Sequence, residues 1–477
     1  MKSFKLLMFI GLAVLSLIVV TSAKLQPQRV QNPDRSEFQK IAQVQYTEQC
    51  LSPDTPQRPA WECYEILTEL PEYSPVKITH SDGEEHRVIT FQDAGQTKFR
   101  FTPTQPGTWT FSSGGNIEIN ATRPNYAKGF VAAQDQKWMR TATQEAFVPQ
   151  FIMYDKPDID RGIQEFVKEH GLTGLHITNL RDLMENPSYF EAVVLKTYRH
   201  GGTTHFWVWG DQARGQTPKT YGVDVDKLYK EIAARLAPLP GWTVGYGFDL
   251  FEWASAREIE EFRQTLRDYS SYHHLVGGRG HKNQYKLISN QLDYASWEWH
   301  QPDYKEYRKH LENAKGIPAF SEDRFRIRTP TRYPEKDYNP ELTRRGLWNS
   351  AIAGGVANIW GHQPKGQEFS EPYPNKNEIQ TYSQFINNNF TLAMKPDNSI
   401  IDSGHCLRDG NQTAICYAEA VSTLNINSSK IDGVQQIIAV DTQASYQEIP
   451  VEITGTQMTW SAPRKSDWAF ILRGNRG

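Results

Sequence analysis

Two apolar runs in this chain end in carboxylic acids. One runs from Trp242 to Asp249 (WTVGYGFD), with Glu252 just beyond it; the other runs from Ile317 to Glu322 (IPAFSE) and continues into Asp323, Arg324, Phe325 and Arg326. Each run reads as a buried strand, so each acid falls where a strand ends. A facing pair of carboxyl groups can cleave a glycosidic bond: one protonates the leaving oxygen, and the other attacks the anomeric carbon or activates water. Side chains alternate along a strand, so Val244, Tyr246, Phe248 and Leu250 share one face, and Gly245, Gly247 and Asp249 share the other. This places Asp249 inward. Glu252 lies past the strand, where parity no longer holds, and the two acids stand as alternatives for one role. Each candidate also has a plainer reading: an acid at a helix N-terminus for Asp249 or Glu252, an ion pair with Arg324 or Arg326 for Glu322.

Other strand ends carry groups that suit a sugar. Tyr154, Trp207, Trp209, Trp297 and Trp360 offer flat rings for stacking; Asn179, Arg279 and His300 offer donors and acceptors for hydroxyls. Asp155, Arg181, Asp182, Asp211, His281, Glu298 and His362 lie beside them. For any one of these, packing or ion pairing is an equally good explanation. No metal-binding or nucleophile-elbow motif is present, so no metal site and no cofactor are expected, and an esterase is disfavoured.

These residues need a frame. From residue 147 to 392 the sequence alternates strand-like and helical segments. The strand-like runs are Phe147–Tyr154, Gly174–Thr178, Thr204–Trp209, Trp242–Asp249, Leu275–Gly278, Tyr294–Trp299, Ile317–Ser321 and Gly355–Trp360. Amphipathic helices are expected at Asp158–Glu169, Asp224–Leu236, Ala256–Ser270, Asp303–Ala314 and Asn339–Ile352, and the weakest follows the fifth strand. Eight such units match a (β/α)₈ barrel of roughly 250 residues, whose active site lies at the C-terminal ends of the strands. A doubly wound sheet is the alternative, but no Gly-rich phosphate loop follows the first strand. On either side the texture changes to short alternating strands broken by turn signals such as Pro106-Gly107 and Gly114-Gly115. The expected fold is therefore a central (β/α)₈ TIM barrel flanked by two β-sandwich modules. The divisions are 46–125 for the first sandwich, 126–395 for the barrel and 396–477 for the second sandwich.

Residues 1–23 read as a signal peptide, with Lys2 and Lys5, an apolar stretch from Leu6 to Val20 and small residues ending at Ala23. An uncleaved membrane anchor is the alternative, although the stretch is short for a span of roughly 20 residues. Residues 24–45 form a polar, Pro/Gln-rich lead-in. An exported chain suits the four cysteines, which fall into two local pairs, Cys50 with Cys63 and Cys406 with Cys416. Asn120, Asn389, Asn411 and Asn427 each open a glycosylation sequon. The expected location is secreted, periplasmic or at the cell surface. The net charge of −3 gives no reason to invoke nucleic acid or, once the signal is removed, a membrane. The 13 Trp, 22 Tyr and 22 Phe suit a sugar cleft but also fill cores.

Across nearly the whole mature chain the sequence resembles the apiosidase-like glycoside hydrolases. Phe101 to Phe111, with Gly107 and Trp109, resembles their immunoglobulin-like N-terminal module. Trp242 to Asp249 resembles their fourth barrel strand, which ends in an acid, and Pro318 to Glu322 their seventh, which carries the nucleophile. Asp441, Tyr446, Trp460, Pro463 and Trp468 resemble their C-terminal sandwich, whose customary label, collagen-binding, is no guide to function here. The resemblance implies a two-carboxylate hydrolase acting on a polysaccharide or oligosaccharide, with Glu322 as nucleophile. One departure stands out: many related barrels end strand four in Asn-Glu, whereas here Phe251 precedes Glu252. That departure keeps open a rival reading, a non-catalytic carbohydrate-binding or adhesion protein with a degenerate barrel.

Overall fold

The computed structural model describes residues 46–280, 287–298, 301–327, 337–361 and 373–475, with the backbone alone for 323–327 and 337–338. The expected signal peptide, the lead-in and His300 lie outside the described residues. Among the described residues no helix is long and apolar enough to cross a membrane.

The first module is built from short strands whose buried residues alternate, as in Pro75–His80, where Val76, Ile78 and His80 turn inward. Tyr64–Thr68, Gln96–Phe101 and Phe91–Asp93 form one antiparallel sheet. Glu85–Ile89, Pro75–His80, Gly107–Phe111 and Asn116–Ile119 form the other. Val76, Ile78, Val88, Phe99, Phe101, Trp109, Phe111 and Ile117 fill the space between them. Cys50 is bonded to Cys63, one residue before the first of these strands.

A three-stranded antiparallel sheet, Val131–Gln134, Lys137–Arg140 and Glu145–Phe147, then closes the N-terminal end of the barrel. Lys137 donates to Gly354 O (2.7 Å), ahead of strand eight, and Arg140 donates to Gly202 O (3.4 Å), ahead of strand three. Trp138 reaches into the interior, 5.3 Å from the ring of Tyr294.

The barrel strands are Gln150–Met153, Gly174–Ile177, Thr203–Trp209, Trp242–Gly247, a split fifth strand, Ala295–Trp297, Ala319–Ile327 and Ala357–Gly361. They pair in parallel, in sequence order, and strand eight returns to pair with strand one. The fifth strand closes the ring in two halves: Val276–Gly277 pairs with strand four and Arg279–Gly280 with strand six, on either side of Gly278. Phe151, Met153, Trp207, Phe320 and Ile359 belong to the interior cluster. Ile152, Tyr154, Leu175, Phe206, Val208, Val244 and Trp360 belong to the layer shared with the helices.

The expected helices form with small shifts in their ends. Ile159–Gly162 continues as a wider-turned Ile163–Glu169, Val225–Glu231 continues to Leu236, and Ala256–Tyr269, Tyr304–Asn313 and Pro340–Ile352 follow. Capping explains several starts; Ser255 and Glu258 form a reciprocal box. Two further helices complete the ring, Pro187–Arg199 and Lys376–Asn389. Between strands five and six the described residues hold no helix.

The C-terminal module is one six-stranded antiparallel sheet rather than two separate ones. Its two long strands, Thr413–Asn427 and Gln457–Arg473, shift register between Ala418 and Thr423. They bend there, so that Leu424, Ile426 and Met458 share a core with Cys416, Phe470 and Leu472. Cys406 and Cys416 face each other across the hairpin and are bonded. The other face packs on the barrel helices: Tyr417 stacks on Trp348 at 5.4 Å.

Candidate active site

Strand seven carries Glu322 into the barrel at a bulge, where pairing with strand eight jumps from Ser321 to Arg324. The carboxylate is fully buried. Trp207 Nε1, from strand three, donates to Oε2 at 3.0 Å. The Tyr294 hydroxyl, from the start of strand six, donates to Oε1 at 2.7 Å. His205 Nε2 lies 3.5 Å from Oε1 and 3.1 Å from the Tyr294 oxygen, and His205 Nδ1 lies 2.8 Å from Nδ1 of His176 on strand two.

Two glycines make room. A Cβ at Gly245 would stand 3.1 Å from both Glu322 oxygens and 2.8 Å from Trp207 Cδ1, and one at Gly277 would stand 2.1 Å from the Tyr294 ring. Burial pushes the Glu322 pKa up, but the bonds and charge from His205 and the bonds from Tyr294 and Trp207 outweigh it, holding the pKa below the ordinary glutamate value. Burial, then the Glu322 charge, push the Tyr294 phenol far above its usual range. The site therefore holds a buried carboxylate that stays ionised.

Arg279, on the second half of strand five, connects the backbone carbonyl of Glu322 to other acids. Its Nη1 donates to Glu322 O at 3.3 Å, while its Nη2 donates to Asp249 Oδ1 and lies 3.5 Å from Glu298 Oε2. The guanidinium sits 5.6 Å from the rings of Trp207 and of Phe248. Asp249 adopts a left-handed backbone (φ 54°), a conformation that Asp tolerates better than most residues. With 34% of its side chain exposed, against 14% for Glu298, Asp249 is the most open of these acids to solvent. The alternation expected along strand four stops early: the strand ends at Gly247, and Phe248 turns inward, 5.0 Å from Trp207, instead of facing the helices.

The structure thus brings together Glu322, Asp249, Trp207 and Arg279 among the expected residues. Glu252 is exposed, in the short turn Leu250–Glu252. Four aromatics point away from Glu322. Tyr154 donates to Asp158 O in the first helix turn (2.7 Å), Trp209 Nε1 bonds the Tyr229 hydroxyl (3.1 Å), Trp297 stands 5.2 Å from His310 on a helix, and Trp360 Nε1 bonds Gln150 (2.7 Å). Asn179 is buried at the end of strand two, accepting from Arg181 at 2.6 Å. The sequence reading missed His176, His205 and Tyr294. The signal for His205 was present: it lies two residues before Trp207, on the same strand face. Among the described residues, no group of three or more His, Cys, Asp or Glu is placed to hold a metal ion.

No family model matches this chain, and no curated protein matches it. Solved structures do. A chain from Bacteroides vulgatus assigned to the glycoside hydrolases matches with a TM-score of 0.66 at 12% identity, covering 87% of this chain and 99% of that one. Another glycoside hydrolase matches with a TM-score of 0.60 at 12% identity, covering 75% and 99%. A family 5 glycoside hydrolase from Bacteroides vulgatus matches with a TM-score of 0.59 at 12% identity, covering 74% and 95%. At such identities the likeness is one of fold: a TIM barrel with additional all-β domains.

Proposed function

We propose that this chain is an exported glycoside hydrolase that cleaves O-glycosidic bonds in a polysaccharide or oligosaccharide, with Glu322 as nucleophile and Asp249 as general acid/base. One observation carries the reading: Arg279 holds both the Glu322 backbone carbonyl, at the end of strand seven beside that residue's buried carboxylate, and Asp249, an acid at the end of strand four. Glu322 would attack the anomeric carbon as the bond to the leaving oxygen breaks, and Asp249 would protonate that oxygen. Asp249 would then take a proton from the water that releases the sugar. Bonded to Arg279, Asp249 is an acceptor, so substrate must displace that ion pair before Asp249 can hold the proton it gives. Asp249 is preferred to Glu252 because Asp249 bonds Arg279, whereas Glu252 is exposed in the turn beyond the strand. Two disulfides suit an oxidising compartment, in keeping with a secreted, periplasmic or surface location. Within the hydrolases, the apiosidase-like group is the narrower proposal, resting on the resemblances at Phe101–Phe111, Trp242–Asp249 and Pro318–Glu322.

The complete burial of Glu322 favours a second reading, a barrel that binds carbohydrate without cleaving it. Reducing-sugar release by wild type and Glu322→Gln across a polysaccharide panel separates the two. Release from one polymer that vanishes in the variant is the expected result. Binding of a glycan by both proteins with release by neither overturns the hydrolase reading.

A further inference from the structure

The cluster behind Glu322 continues two residues deeper than a nucleophile requires. Nδ1 of His176 and Nδ1 of His205 are 2.8 Å apart, with ring centroids at 4.9 Å. A hydrogen bond between two ring nitrogens needs one that carries hydrogen and one that is bare. The four nitrogens of the pair can therefore hold three hydrogens at most while that bond lasts.

The far end of the cluster fixes its direction. Ionised Glu322 can only accept, so the Tyr294 hydroxyl gives its hydrogen to Oε1 (2.7 Å). The phenol, pushed far above its usual range by burial and by Glu322, keeps that hydrogen. The Tyr294 oxygen can then only accept from His205 Nε2 at 3.1 Å, which must carry hydrogen. With that as its single hydrogen, His205 is bare at Nδ1 and His176 donates through its own Nδ1; with a second hydrogen, His205 would be the donor instead.

We propose that His176 and His205 are positioning residues: through Tyr294 they form a one-way hydrogen-bond relay that orients donors toward Glu322 and keeps it a carboxylate. The relay's effect on catalysis rests on the hydrolase reading; its hydrogen-bond direction does not. The other groups facing Glu322 are few. Strand five presents Arg279, which donates to the Glu322 backbone carbonyl and whose far side holds Asp249 and Glu298, and strand three presents Trp207. Strands one and eight present the apolar Phe151, Met153 and Ile359. No other described charged group touches the carboxylate, so the relay is its main source of hydrogen-bond polarity besides Trp207.

The test has two arms on the full chain. Nitrogen NMR of ring-labelled histidines, assigned with single variants, reads the tautomers without substrate. The expected result at neutral pH is hydrogen on Nδ1 of His176 and on Nε2 of His205. Hydrogen on Nε2 alone in both rings, or four ring hydrogens on the folded pair in acid, overturns the relay. In the second arm, the pH dependence of kcat/KM is measured for His176→Leu and His176→Asn. Asn places an amide N–H near the position of Nδ1 and can still donate, whereas Leu cannot. The acid limb is expected to move up by about one pH unit in His176→Leu, a tenfold loss below the limb, and to stay in place in His176→Asn. Equal limbs in the two variants overturn the proposal. If wild type cleaves no polymer, the hydrolase reading fails, while the tautomers still decide the relay.

Discussion

Glu322 combines complete burial with ionisation, and burial alone would make it a neutral acid. Its donors reverse that outcome. The direction has a kinetic consequence: activity that needs the carboxylate persists as pH falls below the usual glutamate range of about 4.3, and is lost through the lowered pKa. The partner acid is tested by contrast. Asp249→Asn should lower kcat by about 10²–10⁴-fold on natural linkages, the usual contribution of a positioned acid or base, and by much less on substrates whose leaving group needs no proton. Glu252→Gln should leave both rates within about twofold of wild type, since an exposed side chain away from the site contributes little. Rates measured on both substrate types decide between the two acids, and a reversal of the pattern would return the role to Glu252. Sequence alone could not separate them, because the chain leaves the strand at Gly247 and backbone turns, not alternation, place everything after it.

At the scale of the strand, the site depends on what is missing. Inward positions on strands four and five are glycines, and the space they leave is occupied by the Glu322 carboxylate, Trp207 and the Tyr294 ring. Gly245→Ala should therefore force Trp207 or Glu322 aside. An added methyl in a filled interior costs about 1–3 kcal/mol, so the melting temperature should fall along with kcat. Wild-type melting and turnover in Gly245→Ala would mean that the interior yields and that the fit is not needed. The same parity shows why some expectations at strand ends did not place a residue in the site. Tyr154 shares a face with Ile152, and both belong to the helix side. Trp297 and Trp360 likewise lie one residue out of phase with the inward positions Glu298 and Ile359. Position along a strand was legible from hydrophobic texture; facing depends on the parity of each strand, which texture alone does not set where both faces are apolar. The helix Pro187–Arg199 escaped for a related reason. It is buried at every residue from Tyr189 to Leu195, so its middle turns lack the exposed polar face that marks a surface helix.

At the scale of the molecule, module order was readable from changes in texture, but the joints were not, because their partners are far apart in sequence. Arg100 of the first module bonds Glu191 of the barrel, and Asp467 of the last module bonds Arg344 and Arg345 on the helix before strand eight. Asp467 also accepts from Ala420 N–H at 2.8 Å, at the bend where Ala420 takes a positive φ of 52°. One buried carboxylate thus holds both the curvature of the C-terminal sheet and its seat on the barrel. Burial raises its pKa, but the bonds from Arg345, Arg344 and Ala420 outweigh that and lower it. A depressed folded pKa contributes stability above the unfolded value, about 3.9, and that contribution is lost as pH falls through the folded value. Breaking such a pair by removing one charge costs about 3–5 kcal/mol, because the partner charges remain buried. Asp467→Asn should accordingly lower the melting temperature near neutral pH and open the C-terminal module to proteolysis first. The gap between variant and wild type should narrow as pH drops below about 4, because protonation then does to wild type what the substitution has already done. A gap that stayed constant down through that range would show that Asp467 acts by shape and hydrogen bonding alone, and that the charge of this joint is not what seats the module.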